Sequence, residues 1–354
     1  SWDDADLDGP RGPRAPRRML RFVRRGIFVL LALGAVVATL AFVSFRSAVN
    51  ERNNAVPEKV RAALAPANGP ALAASHVTLL VGADTSGHRR RKGEAQGGLS
   101  DTLLLMRVHV PSRTVSMLSI PRDLYVEIPG YGSEKINEAY ALGGLALAIK
   151  TVRRTTGVEI NHVAQIDFDG FKEVVDALGG VTIDNPTAIR SGTPFDGKMW
   201  SFRKGKQTLT GRQALAYARM RKVDNATLAR DPAEGTDLGR ARRQQRIVDA
   251  IVSDVVSLDS VRHPRDIPEA VVKPLLTDIS AFQMLSFGFG KWWSKPDNNL
   301  RCRLGGDQSM SATGEDILIP DAENRAAVRM FLGKQAPIPP QNALSAGCVR
   351  EADR

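Results

Sequence analysis

From Ile27 to Phe45 the chain runs nineteen residues, IFVLLALGAVVATLAFVSF, without a charge. As a helix rising 1.5 Å per residue this stretch spans roughly 28 Å, about the thickness of a bilayer core. A buried helix of a globular domain would carry a polar face, and this one has none. The reading is one membrane crossing, with a cleaved signal peptide as its rival, although such peptides have a shorter apolar core followed by a small-residue cleavage site. Seven arginines (Arg11, Arg14, Arg17, Arg18, Arg21, Arg24, Arg25) precede the stretch, whereas only Arg46 and Arg52 follow closely. That asymmetry retains the N-terminus in the cytoplasm and places everything after about residue 46 outside. The expected organisation is a basic cytoplasmic segment over 1–26, a transmembrane helix over 27–45, an extracytoplasmic stalk over 46–73, a globular domain over 74–335 and a Pro-containing tail over 336–354.

Topology then changes the meaning of the charge. The chain has 49 Lys and Arg against 38 Asp and Glu, a net charge of +11, which by itself points to polyanionic partners. Beyond residue 26 there remain 42 basic and 34 acidic residues, and on an exported domain nucleic acid is not the expected partner. Phosphorylated lipid or wall polymer is. The two cysteines, Cys302 and Cys348, form no C-x-x-C and no Cys/His cluster, which argues against a zinc or iron–sulfur site. Outside the membrane they can pair as a disulfide or remain as two free thiols.

Within the domain, HVTLLV (His76 to Val81), DTLLLMRVHV (Asp101 to Val110) and TVSMLSI (Thr114 to Ile120) read as adjacent antiparallel strands, the last two joined through Pro111-Ser112-Arg113. Helical spacing from Gly143 to Thr156, a strand from His162 to Phe168, a helix from Gly170 to Leu178 and a strand from Val181 to Asp184 follow. Alternation of this kind gives an α/β layered domain. Thr210 and Gln213 form a capping-box pattern, a long helix is expected from about Asp237 to Leu258, and another near Asp321 to Leu332. The basic loop His88 to Lys92 (HRRRK) reads as solvated, with substrate contact as the alternative.

Two constellations carry chemistry. In the long helix, Ile247, Ile251, Val255 and Leu258 define an apolar stripe, and stepping back along the same face reaches Gln244, Arg243, Arg240 and Asp237, while Arg242 and Arg246 face outward. An inward cation needs a partner. Either Asp237 and Arg240 form an ion pair at the helix start, or the group lines a polar cavity that accepts an anion. The second constellation sits at strand ends. Arg122 falls just past TVSMLSI, Asp84 follows HVTLLV, and Asp101 opens the next strand. Paired carboxylates without nearby His or Cys suit a hard cation such as Mg²⁺, with turn capping as the bland alternative. Arg219 and Arg221, spaced two apart, point the same way if the chain leaves its helix extended.

With these motifs in place the chain resembles the LytR-CpsA-Psr family of bacterial cell-wall glycopolymer transferases. The resemblance rests on LSDT (Leu99 to Thr102), LSIPRDLYVEIPGYGSEKINEAY (Leu118 to Tyr140), QIDFDGFKEVVDALGGVTID (Gln165 to Asp184), LTGRQALAYARMR (Leu209 to Arg221) and DLGRARRQQ (Asp237 to Gln245). It covers roughly residues 76 to 260 and matches less clearly beyond. It implies an α/β/α sandwich around a central mixed β-sheet, with an apolar pocket for a lipid tail. The implied activity is phosphotransfer of a glycan from a polyprenyl-pyrophosphate carrier to peptidoglycan through a phosphodiester, assisted by Mg²⁺ or Mn²⁺. By motif, Asp84 and Asp101 fall on the family's metal-site aspartates. Arg122, Arg219, Arg221, Arg240 and Gln244 fall on its pyrophosphate-binding residues, with Asp237 orienting the arginines. Lys135 and Arg243 are weaker candidates for substrate contact. No general base is named unambiguously; Asp84 is the candidate, although a metal ligand is a poor base.

The chain departs from the family pattern at Gly82-Ala83-Asp84-Thr85-Ser86, where many members read Gly-x-Asp-Ser-Arg, and at Leu99, where many have Arg. The loop Arg89 to Arg91 is a candidate replacement, and the long segment Lys222 to Thr236 a candidate for shaping the acceptor side. Two other readings use the same residues: hydrolysis of the carrier, and a non-catalytic wall-binding or regulatory protein. The sequence leaves the oligomeric state, the glycan and the acceptor's maturity open.

Overall fold

The computed structural model describes residues 17–67, 69–83, 98–255, 270–311, 313–342 and 344–353, and in the first helix only part of the side chains. Two compact units divide the chain, Ser1–Ser44 and Phe45–Arg354. Helix α1 runs Arg17–Asn54, so the backbone of the uncharged stretch 27–45 is helical throughout. Among the described residues, no helix is long and apolar enough to cross a membrane. Residues 1–16 of the expected cytoplasmic segment, together with Asp84 and the loop Arg89 to Arg91, lie outside the described residues.

In the second unit a short helical turn α2 (Glu58–Arg61) leads to strands β1 (Ser75–Ala83), β2 (Ser100–His109) and β3 (Thr114–Ile120). They pair antiparallel in the expected order, with Leu79 opposite Leu105 and Leu105 opposite Leu118. A small ribbon, β4 (Tyr125–Ile128) and β5 (Gly132–Lys135), precedes helix α3 (Glu138–Thr156), which is kinked at Gly143 and Gly144 and which Gly157 ends in a left-handed conformation at φ 67°. There the absent Cβ removes the usual penalty. Strand β6 (His162–Asp167) pairs parallel with β1 and is followed by α4 (Phe168–Ala177), capped by Asp167. Strands β7 (Val181–Asn185), β8 (Ile189–Arg190), β9 (Ser201–Phe202) and β10 (Gly205–Leu209) form two small ribbons apart from the main sheet. Helix α5 (Gly211–Arg219) opens with the Thr210–Gln213 capping box, followed by α6 (Asn225–Arg230) and α7 (Asp237–Val255). The chain then adds β11 (Leu276–Thr277), α8 (Ala281–Trp293), β12 (Leu300–Arg303), the hairpin β13 (Gly306–Met310) and β14 (Asp316–Pro320), α9 (Glu323–Phe331) and β15 (Gly347–Arg350).

The main sheet has seven strands in the order β11-β6-β1-β2-β3-β12-β15, mixed in direction because β1/β6 and β3/β12 run parallel. Alternation along the central strands sends side chains to two covered faces. Leu79, Val81, Leu103, Leu105 and Leu118 pack against Ile149 and Val152 of α3 and Phe331 of α9. Leu104, Met106, Val108 and Met117 pack on the other side against Phe287 of α8 and Val248 of α7. A sheet covered by helices on both faces is the expected three-layer arrangement.

Two boundary expectations need correction. The segment 46–73 is no stalk: Val49, Val56, Val60, Ala63 and Ala71 are buried against the body, Val56, Val60 and Ala63 making one packing face at helical spacing. The segment 336–354 is no free tail either. Its β15 pairs with β12 at the sheet edge, and Cys348 is disulfide-bonded to its register partner Cys302.

A separate apolar cluster forms around β7, β9, β10, α5 and α7, including Val181, Phe202, Tyr217 and Ile247. Tyr217 is fully buried, donates to Asn185 Oδ1 at 3.0 Å and accepts from Arg246 at 3.0 Å; burial pushes its phenol pKa up. Beside it, Arg243 has no exposure at all. Its guanidinium pairs with the equally buried Glu234 and donates to three carbonyls, Tyr217 O at 3.0 Å, Glu234 O at 3.1 Å and Met220 O. Burial drives the Arg243 pKa down, and Glu234 opposes that shift.

Arg243→Ala leaves the buried Glu234 carboxylate with only Arg246, 4.0 Å away, as a cationic partner, so it should cost about 3 kcal/mol in a urea titration. Arg243→Met combined with Glu234→Leu should recover part of that loss. The disulfide closes a long loop, with a sequence separation of 46. Cys302→Ser with Cys348→Ser should therefore lower stability by about 2 to 4 kcal/mol in the same titration.

Candidate active site

The hairpin of β2 and β3 builds the site. Leu103 pairs with Ile120, and continuing that register by two residues sets Asp101 opposite Arg122, just beyond the paired segment. Arg122 Nη1 lies 3.4 Å from Asp101 Oδ1, and its Nε lies 3.3 Å from Asp123 Oδ2. Two more arginines arrive from the end of α5. That helix closes at Met220 with φ −57° and ψ 125°, an extended exit. Met220 turns into the core, so Arg219 and Arg221 project together to the other side. Arg219 Nη2 donates to Asp101 Oδ2 at 3.1 Å, and Arg221 Nη2 lies 3.7 Å from Oδ1. One carboxylate thus gathers three guanidinium groups.

Arg219 is held by stacking as well as charge. Its guanidinium carbon lies 3.9 Å above the Phe168 ring and 5.4 Å from that of Phe195. Phe195 belongs to a loop laid beside residues 219–222 through a bridge between Ser191 and Val223 and a hydrogen bond from Gly192 N to Lys222 O at 2.8 Å. The approach is close enough that a Cβ at Gly192 would sit 2.7 Å from Val223 O. Together these segments enclose a cavity of about 340 Å³ lined by Asp101, Arg122, Arg219, Arg221, Lys222 and the Ser191–Phe195 loop.

Behind the cavity stands the start of α7. Arg240 is almost fully buried and pairs with Asp237 at 3.0 Å, so the helix-start ion pair exists. Burial lowers the Arg240 pKa most, Asp237 resists, and nearby Arg122 lowers it further. The Arg221 pKa is lowered by burial, then by Arg122 and Arg240, against Asp101 and Asp123. The buried Arg303 of β12 also feels Asp237 and Arg240, and burial brings its pKa down to about 10. Cations held this close repel one another. A multiply charged anion in the cavity would relieve that repulsion.

Of the ten residues singled out from the sequence, Asp101, Arg122, Arg219 and Arg221 line the cavity. Arg240 and Asp237 stand behind it, and Gln244 donates to Thr102 Oγ1 at 3.0 Å, next to Asp101. Arg243 is not a substrate contact: it is sealed in the core, where it fixes the carbonyls of Tyr217 and Met220 and so the path of the chain between Arg219 and Arg221. Lys135 is not on the cavity wall; its ammonium pairs with Glu315 at 2.7 Å. Arg246, read as outward-facing, is only 15% exposed and donates to the buried Tyr217 hydroxyl. Asp123, Phe168, Phe195 and Glu234 carried no sequence signal of their own, since each acquires its role through residues distant in the chain.

Among the described residues, no group of three or more His, Cys, Asp or Glu side chains gathers as a metal cage. Asp101 is suited to a sparser kind of site. Its Oδ1 contacts at 3.4 and 3.7 Å are longer than a charge-assisted hydrogen bond, so lone pairs remain for a hard cation. Mg²⁺ typically takes one or two carboxylates, keeps waters and completes its shell with phosphate oxygens. Strand β1 ends at Ala83, opposite Ser100, one residue before Asp101.

Comparison with known proteins agrees with this architecture. A protein from Enterococcus faecalis named polyisoprenyl-teichoic acid–peptidoglycan teichoic acid transferase TagU is 37% identical over 203 residues, 57% of this chain and 61% of the relative. A protein of the same name from Bacillus mycoides is 36% identical over 247 residues, 69% of this chain and 73% of the relative. Against the first of these the chain spans about six tenths of the relative's length. Among solved structures, Bacillus subtilis TagV superposes with a TM-score of 0.59 at 27% identity, covering 74% of this chain and 98% of that one. TagT bound to LI-WTA superposes with a TM-score of 0.54 at 27% identity, covering 73% and 91%. The model of the LytR_cpsA_psr family matches residues 39–322, most of the chain, and the protein belongs to that family.

Proposed function

We propose that the chain is a glycopolymer phosphotransferase that moves a glycan from a polyprenyl-pyrophosphate carrier to peptidoglycan. The observation that carries this reading is the convergence of Arg122, Arg219 and Arg221 on Asp101 at the wall of one cavity. A pyrophosphate diester carries two negative charges, and fork-shaped guanidinium donors match its non-bridging oxygens. The names of the relatives, teichoic acid transferases acting between a polyisoprenyl carrier and peptidoglycan, support the choice of donor and acceptor class.

The reaction balances as a displacement at phosphorus. An acceptor hydroxyl oxygen bonds to the phosphorus bearing the glycan, the bond from that phosphorus to the bridging oxygen breaks, and polyprenyl phosphate leaves with the electron pair. The hydroxyl proton passes to a base. Charge building on the equatorial and leaving oxygens is stabilised by the arginines, held in place beforehand by Asp101 and by the Phe168 ring. Arg240, tethered by Asp237, raises the local positive potential from behind the wall. The leaving phosphate is already a stable anion, so no strong general acid is required. Asp101, with Asp84 from outside the described residues, would hold a Mg²⁺ or Mn²⁺ ion, which supplies further charge neutralisation at the phosphates.

Anchoring belongs to the same proposal. The uncharged stretch 27–45 spans the membrane once, with the arginine-rich N-terminus cytoplasmic and the catalytic body extracytoplasmic. The buried Cys302–Cys348 disulfide supports an oxidising compartment.

The test is transfer by the full chain in vesicles, with a radiolabelled glycan on polyprenyl pyrophosphate, peptidoglycan oligomers and Mg²⁺. Label should enter peptidoglycan, and Arg122→Ala or Arg221→Ala should cut the rate by about 10² to 10³ while the fold persists. Label released as free glycan phosphate would replace transfer with carrier hydrolysis, and tight carrier binding without turnover would replace it with a binding protein. Chelation by EDTA should abolish transfer and added Mg²⁺ or Mn²⁺ should restore it; unchanged activity in EDTA would remove the metal from the reaction.

A further inference from the structure

Helix α8 is apolar on its outer side. Its 13 residues, AFQMLSFGFGKWW, begin with a complete capping box between Ser280 and Gln283. Ala281, Ser286, Phe287 and Gly290 turn inward, and a Cβ at Gly290 would lie 2.7 Å from Val108 of the sheet. On the opposite side Phe282, Leu285, Phe289 and Trp292 recur at intervals of three and four residues and are all exposed, Phe282 by 57% and Trp292 by 66%. Trp293 joins them. The rings of Phe289, Trp292 and Trp293 lie within 5.9 to 6.0 Å of one another, so the helix presents one continuous aromatic surface. Surfaces of this kind mark interaction sites on soluble domains.

Position and charge identify the occupant. The first turn of α8 packs against the end of the uncharged stretch and the turn after it: Ala281 and Met284 share an apolar cluster with Phe45 and Val49 of α1. Phe45 is the last residue of that stretch, and Arg46, exposed, is the next. At the far end, the Arg113 guanidinium lies 4.2 Å over the Trp293 ring and donates to Trp293 O at 2.9 Å, and the exposed Lys295 is tied by its backbone to Arg113. Asp297 is the acid nearby in sequence, and Lys291 is taken up by Asp249 and Glu351. Exposed Trp and Phe bordered by cations match the headgroup region of a bilayer, where aromatic rings anchor and anionic lipids attract Lys and Arg.

We infer that the outer face of α8 is a membrane-docking surface, seating Phe282, Leu285, Phe289 and Trp292 in the interface of an anionic bilayer beside the point where the chain leaves it. This rests on the single-pass reading of residues 27–45. The consequence is a body that touches the bilayer through an interfacial helix as well as through its span, close to a lipid-borne substrate. Once the span has anchored the chain, the second contact is made at high effective concentration, so even a weak interfacial contact is populated.

The test uses the full chain in nanodiscs of phosphatidylcholine and phosphatidylglycerol brominated along the acyl chains, compared with Trp292→Phe/Trp293→Phe. Exposed Trp→Phe exchanges remove two of the four tryptophans and leave the body intact, checked by an unchanged melting temperature. If the chain stays with the discs through detergent-free gel filtration, bromolipid should quench the wild type, and the double variant should lose roughly half or more of the quenchable emission, as expected for rings seated in the interface. Equal quenching in both proteins would overturn the docking surface and leave the anchor standing. Stripe emission shielded from bromolipid and from aqueous acrylamide, with two chains per disc, would assign the face to a second copy instead. Chain lost from the discs would overturn the anchor and the docking surface together.

Discussion

The geometry of the cavity depends on a buried cation that never reaches it. Arg243 holds the carbonyls of Tyr217 and Met220, either side of the turn that ends α5, and is itself neutralised by Glu234 from the segment leading into α7. A lysine could not replace it, because the contacts require several donors in a fixed plane. With this clamp in place the chain leaves the helix extended at Met220, and the alternation of an extended segment sends Arg219 and Arg221 to the same side. Without it the two arginines would have no reason to share a target. An ion pair of this kind contributes little net stability, and its value here lies in fixing one backbone path.

Around that path the protein accepts an electrostatic conflict. Arg122, Arg219, Arg221 and Arg240 gather near Asp101, Asp123 and Asp237, and the burial of Arg221 and Arg240 disfavours their charged forms. The cations are nevertheless anchored through carboxylates, aromatic rings and backbone, so they do not have to be ordered when an anion arrives. Preorganisation of this sort is what makes fixed charges more effective than water in stabilising a developing negative charge. Asp101 is the hub of this arrangement, since one carboxylate restrains three arginines.

Much of this was legible in the sequence because it follows from local rules. The three leading strands pair as their β-branched runs and the Pro111-Ser112-Arg113 connection suggest. The hairpin register then sets Asp101 against Arg122, and the capping box at Thr210 fixes where α5 begins. The apolar stripe of α7 does continue into Arg240 and Arg243, as the spacing required. What periodicity could not decide was the destination of each inward cation. Arg243 meets Glu234, which lies outside the helix and looks like one more loop acid. Arg240 stays with Asp237 and stands behind the cavity, and Lys135 finds Glu315 on a distant hairpin. The segments 46–73 and 336–354 differ from expectation for a related reason: a short apolar face such as Val56, Val60 and Ala63, or a four-residue strand such as Gly347–Arg350, is covered only because tertiary partners lie beside it.

The opposite edge of the sheet is bound to the site through a neighbour of the cavity residues. Gln245 of α7 donates to Ser119 Oγ on β3 at 2.9 Å and to Cys302 O on β12 at 3.0 Å. Ser119 lies three residues before Arg122, and Cys302 is the disulfide-bonded residue that secures β15. One buried amide therefore connects the helix that carries Arg240 to the strand that delivers Arg122 and to the cross-linked edge. Such a group is costly to bury unless satisfied, and its hydrogen bonds are satisfied only when β3, β12 and α7 keep their relative positions. The strand that closes the sheet thereby becomes a support for the arginine cluster without contributing an atom to the cavity wall.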